Sequence, residues 1–172
     1  MAATAACVTS MDTESHRRMD SSLILLGDVG GTNIRLSLVP AAGLQAAAAR
    51  PTSCFSVRYA TASFTHAADA LEKFAHESRS AHEGQIIFAA LSVCGPVTEG
   101  VAVCLAQCMG EKGWILEEAA LAAAVGLPRD RLKLVNGESG EPPPPSFPSP
   151  HPHLALALTR LCGRWPRVAA RK

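Results

Sequence analysis

The sequence predicts an α/β protein, a mixed sheet with helices on its faces, and three observations carry that expectation. Two apolar runs, at about 22–27 and 33–39, flank a turn rich in Gly, Asp, Thr and Asn, the pattern of a β-hairpin. A third strand pattern and then alternating helix-like and strand-like segments follow to residue 136, an order that lays helices against a sheet. Ile86-Ile87-Phe88-Ala89-Ala90-Leu91-Ser92-Val93 is apolar on both sides, as a strand buried between layers is.

Taken in order, the hairpin is followed by Pro40 to Pro51, an Ala/Gly-rich connection in which Leu44 to Arg50 can form a short helical turn. Cys54 to Thr61 reads as the third strand, with Phe55, Val57 and Tyr59 on one face. Thr65 is placed to cap a helix running to about Arg79. Ala67, Leu71, Phe74 and Ala75 form its apolar stripe, with Asp69, Glu72, Lys73 and Glu77 elsewhere. His66, His76 and His82 lack the spacing of a ligand pair and are expected on the surface. The buried strand ends at Cys94-Gly95-Pro96-Val97, a turn, and Val101 to Leu105 forms a further strand. Trp114-Ile115-Leu116 introduces a helix over about 117–125, with Glu117 and Glu118 at its positive end. Gly126 closes it, Pro128 prevents its continuation, and Leu132 to Val135 is a short strand leading to Asn136.

A chain of 172 residues has room for one ordinary domain with a real core. Its 16 basic residues are scattered and nearly balanced by 15 acidic ones, which argues against a nucleic-acid partner. No apolar run reaches the roughly 18–20 residues needed to span a bilayer, so no membrane span is expected. Residues 1–21 are small, polar and aperiodic, the composition of a disordered lead-in. They contain Asp12, Glu14 and Asp20 and no long apolar core, so no secretory signal is expected and the location inferred is cytoplasmic. The 6 cysteines include no CxxC pair, and several lie in apolar segments, as buried free thiols do in a reducing compartment.

The hairpin tip carries the chemistry. Gly30 and Gly31 let the turn bring backbone N–H groups against an anion. Thr32 and Asn33 add side-chain donors, and Arg35 adds a cation suited to phosphate. Asp28 would repel a bare phosphate, and becomes sensible when a divalent cation with its water shell lies between them. A tight turn alone accounts for Gly30-Gly31, but not for an acid, two glycines, Thr, Asn and Arg together at one tip.

These residues carry a resemblance. Asp28-Val29-Gly30-Gly31-Thr32-Asn33 with Arg35 resembles the first phosphate motif of the hexokinase-type, bacterial-type glucokinases, in the actin-like ATPase superfamily with its ribonuclease H-like fold. It is neither a GxxxxGK[ST] loop nor a GxGxxG turn opening a helix. Further along, Ala90-Leu91-Ser92-Val93-Cys94-Gly95-Pro96-Val97 and then Gly100-Val101 resemble the family's AxAGPV…GxV stretch. Trp114-Ile115-Leu116 with Leu121 resembles its NxxWxI…L continuation, and Leu134-Val135-Asn136 the start of L(I/V)NDF. The similarity runs over about 22–136, the N-terminal lobe only. It implies ATP-dependent phosphorylation of glucose or a related hexose to the 6-phosphate, the entry to glycolysis, with Mg²⁺. By that resemblance Gly30, Gly31, Thr32 and Asn33 bind nucleotide phosphate, Arg35 supports the loop, Asp28 places Mg²⁺ through water and Asn136 holds the sugar. Another sugar kinase of the same superfamily, and a non-catalytic nucleotide- or sugar-binding lobe acting through a partner, remain open at this point.

Two departures matter. Gln107-Cys108-Met109-Gly110 stands where the family has Thr-Asn before its Trp. Gly137 stands where the family's general-base Asp follows Asn136. A glycine cannot take a proton from the attacking hydroxyl, and loss of a general base costs about 10²–10⁴-fold in rate. From 137 to 172 the composition turns Pro-rich, which cannot continue a sheet and reads as a disordered tail. The family's second domain is not found, so the chain as written is expected to be a truncated form, weakly active or inactive. Asn136-Gly137-Glu138-Ser139 admits a coding string containing GGTGAGT, which resembles a splice donor. We expect an alternative transcript in which the orphaned G opens an Asp codon. Sequencing mature transcripts across the Asn136 codon checks this, and finding the present tail as the only form overturns it.

Overall fold

The computed structural model describes residues 22–44, 52–105 and 113–137. The lead-in 1–21, the tail from 138, the turn expected over 45–50 and the Gln107–Gly110 departure lie outside the described residues.

Strands β1 (Ser22–Val29) and β2 (Asn33–Pro40) pair antiparallel as the expected hairpin, and Ala41–Leu44 adds one 3₁₀ turn after it. β3 (Phe55–Ala60) continues the meander against β2. Helix α1 (Ala67–Ala81) then carries the chain to β4 (Gln85–Val93), which lies parallel to β1 on its other side. After a smaller sheet and helix α2 (Glu118–Ala124), β8 (Leu132–Asn136) runs parallel to β4. The strand order is β3-β2-β1-β4-β8, a mixed sheet as expected.

Side-chain alternation explains the layering. Leu25, Val29, Ile34, Leu36, Ala89, Leu91, Leu132 and Leu134 share a core with Leu71 and Phe74 of α1 and Leu121 of α2. Ile24, Leu26, Val39, Phe88 and Ala90 form a second buried cluster on the opposite face. β1 and β4 are therefore apolar on both sides. Gly27 is required by close approach. A β-carbon there would lie 2.5 Å from Leu91 Cδ2 and 2.8 Å from Leu36 Cδ2.

Two local expectations are corrected, and two are extended. The N-cap of α1 is His66 rather than Thr65. Asp69 stands at the third helical position, where its carboxylate accepts the His66 N–H at 3.0 Å, the return half of a capping box. Trp114–Glu117 leads into helix α2 as expected, and the segment before the helix has a structure of its own. It is strand β7, with Trp114 and Leu116 buried and Ile115 and Glu117 exposed, a period of two. It pairs with β6 (Val101–Cys104), and β6 pairs with β5 (Val97–Thr98), making a separate three-stranded sheet. Glu99 and Gly100 turn that hairpin with φ of 52° and 79°, positive at both central positions as a tight primed turn demands.

Glu118 stands in the first turn of α2 as expected, and packing adds a second role. It is buried, and its carboxylate accepts from Lys133 Nζ and the Leu134 N–H, each at 3.1 Å. The second correction concerns the cysteines and histidines. Cys54, Cys94 and Cys104 are free thiols, but only Cys104 is fully buried and Cys54 is exposed. Burial, with Cys94 alongside, pushes the Cys104 thiol up to about 12. His66 and His76 are exposed as expected, whereas His82 is half-buried with Nε2 3.0 Å from the Cys54 carbonyl oxygen.

Candidate phosphate-binding site

β1, β4 and β8 run parallel, so their carboxyl ends share one edge of the sheet, where open α/β sheets bind ligands. Register aligns one residue from each strand just inside that edge. Arg58 of β3 opposes Arg35 of β2, Arg35 opposes Asp28 of β1, Asp28 opposes Ser92 of β4, and Ser92 opposes Val135 of β8. Directly opposed residues project to the same face. The result is a row of four polar side chains on one face, closed by Val135.

The sequence assigned Asp28 to a metal and Arg35 to the phosphate loop as separate partners. The fold pairs them: Arg35 Nη1 donates to Asp28 Oδ2 at 2.9 Å, with the two side chains 27% and 29% exposed. Both therefore keep access to solvent. Arg35 Nε is buried without a partner, and Asp28 Oδ1 accepts no hydrogen bond among the described residues.

Residues 30–32 form the tip. Gly30 N–H donates to the Asn33 carbonyl at 3.0 Å, closing the turn. Thr61, fully buried just past β3, braces it from the side. Its N–H donates to the Thr32 carbonyl at 3.1 Å and its Oγ1 to the Gly30 carbonyl at 2.8 Å. With these carbonyls tied inward, the N–H groups of Gly31 and Thr32 make no hydrogen bond among the described residues. Two adjacent unpaired N–H groups at a turn are an anion-binding arrangement. Asn33 Oδ1 is taken by Arg58 Nε at 2.9 Å, which brings a second cation against the tip.

Asn136 ends β8 opposite Val93, and the Gly137 N–H donates to the Val93 carbonyl at 3.0 Å. A β-carbon built on Gly137 would run into Ser92 Oγ while lying 3.7 Å from Ser92 Cβ. Position 137 thus faces the polar row. Asp28, the tip, Arg35 and position 137 meet at one edge, and Asn136 stands beside them on the end of β8. Three neighbours escaped the sequence: Thr61, Arg58 and Ser92. Arg58 and Ser92 showed only as polar residues in strand patterns, and Thr61 as the end of one. Among the described residues no group of three or more His, Cys, Asp or Glu side chains could hold a metal.

A family model described as Glucokinase matches residues 25–138. Among solved structures the chain is similar to a glucokinase from an Antarctic psychrotroph. Identity is 22% and the TM-score 0.54, covering 69% of this chain and 33% of that one. It is also similar to a glucokinase from Balamuthia mandrillaris in complex with glucose, at 14% identity and a TM-score of 0.53, covering 77% and 36%. The chain thus spans about a third of the length of these solved glucokinases. No curated protein matches it. The structural likeness establishes the actin-like α/β fold of sugar kinases. The family match takes in β1, the tip, the polar row and β8 together, and by it this chain belongs to the glucokinase family.

Proposed function

We propose that this chain is the phosphate-binding lobe of an ATP-dependent glucose kinase, and that by itself it binds Mg·ATP but transfers little or no phosphate. The observation that carries this is the pair of unpaired N–H groups at Gly31 and Thr32 beside the Arg58–Arg35–Asp28–Ser92 row. Gly30, Gly31, Thr32 and Asn33 receive nucleotide phosphate, with Arg35 supporting the loop. Asn136 holds a sugar hydroxyl.

The residues fit Mg²⁺. That ion takes one or two carboxylates and otherwise water and phosphate oxygens, and Asp28 offers one half-exposed carboxylate with Oδ1 available. When bound, Mg²⁺ neutralises charge on the phosphoryl oxygens. The proton of the attacking sugar hydroxyl has no acceptor at Gly137. We place the chain in the cytoplasm as part of this reading. The same absence of an acid favours a second reading, a non-catalytic lobe working through a partner.

Calorimetric titration of the purified chain with Mg·ATP, beside a coupled assay with glucose and N-acetylhexosamines, tests the proposal. Saturable Mg·ATP binding with turnover at least about a hundredfold below a complete hexokinase is expected. No binding removes the lobe assignment, and hexokinase-level turnover removes the claim that Gly137 disables the chain. Turnover restricted to an N-acetylhexosamine moves the substrate class.

A further inference from the structure

Ser92, like Arg58, is a member of the polar row without a role in the resemblance, whose pattern has Ala at the place of Ser92. It lies on β4 directly opposite Asp28, on the same face, at the carboxyl edge. Its Oγ stands where a side chain at position 137 would begin, because a β-carbon on Gly137 meets that oxygen first. Glycine at 137 leaves this place to the hydroxyl. The side chain is half-buried, and among the described residues its hydroxyl makes no hydrogen bond. On its other side the row offers Asp28 and Arg35, an ion pair that leaves room for an anion carried by a cation.

A half-buried hydroxyl with no partner, next to an acid and a guanidinium, is suited to donate to an anionic oxygen. We propose that Ser92 is a specificity-determining residue that donates its Oγ hydrogen to the terminal phosphoryl group of a nucleoside triphosphate. This rests on the assignment of the tip to nucleotide phosphate. The tip takes the inner phosphates through its N–H groups, and Ser92 lies one strand beyond Asp28. It therefore reads whether a third phosphate is present, and does so without any acid at 137. Hydrogen bonds to charged groups are stronger than neutral ones, so loss of this one is expected to weaken triphosphate binding about tenfold.

The test compares the full 172-residue chain with Ser92→Ala, each titrated with Mg·ATP, Mg·ADP and glucose, with thermal melts alongside. The expected result is about a tenfold loss of Mg·ATP affinity with Mg·ADP affinity and melting temperature unchanged. Equal loss for Mg·ATP and Mg·ADP, or a change confined to glucose, overturns the proposal. Unchanged Mg·ATP binding also overturns it, while leaving the tip assignment standing. Should neither protein bind Mg·ATP, the tip assignment falls and this inference with it. Ser92→Cys, close in size and a weak donor, supplies the comparison if Ser92→Ala melts early, and its Mg·ATP-to-Mg·ADP affinity ratio must then fall.

Discussion

Replacing Asp28 with Asn should change nucleotide binding in opposite directions depending on the metal. Affinity for Mg·ATP should fall at least tenfold, because the carboxylate is the group through which a hydrated Mg²⁺ is held. Affinity for pyrophosphate in the presence of a chelator should rise about fourfold. Removing one negative charge about 5 Å away in high dielectric relieves ~0.8 kcal/mol of repulsion, and Arg35 loses the partner 2.9 Å from its Nη1. Titrations with and without Mg²⁺ read both arms. A uniform loss in the two conditions would mean that Asp28 only holds Arg35 and the hairpin in place. A gain for Mg·ATP would remove the metal role altogether.

The second large effect concerns stability. Glu118→Ala should cost about 3 kcal/mol, read from urea unfolding. The truncation leaves the Leu134 N–H buried without an acceptor and deprives Lys133 of its counter-charge. Lys133 is 24% exposed and can rehydrate, which keeps the loss at the low end for a broken buried pair. Glu118→Gln keeps an acceptor for the Leu134 N–H and should lose about half as much. Because Glu118 ties α2 to β8 and not to the hairpin, Mg·ATP affinity well below the melting point should stay within about twofold. The tip is braced separately by Thr61 from the β3 side. A Glu118→Ala loss under about 0.5 kcal/mol would show that this tie is only a surface charge pair.

What the sequence reading missed shares a cause. Trp114–Glu117 alternates with a period of two over only four residues before the expected helix, and only pairing with β6 makes it a strand. Glu118 sits where a helix start welcomes an acid, and nothing local shows that Lys133 and Leu134 will arrive beside it. Thr65 is a good capping residue by type. Asp69 decided the matter from three residues past the cap, because its carboxylate reaches the His66 N–H.

What the sequence determined by itself is what local chemistry encodes. The alternation of β1 and β2, the double-sided burial of β4, the Gly-rich tip with its acid and cation, and the glycine at 137 could all be read residue by residue. Tertiary structure alone decided which of these meet. The row Arg58–Arg35–Asp28–Ser92 draws on four strands, and three of its members lie far apart in the chain. Its alignment depends on the register between β1 and β4, which are joined only through β2, β3 and α1. That register is set by packing, with Leu91 of β4 fitted over Gly27, and a pattern of apolar residues specifies which face is buried without specifying which residue lies opposite which.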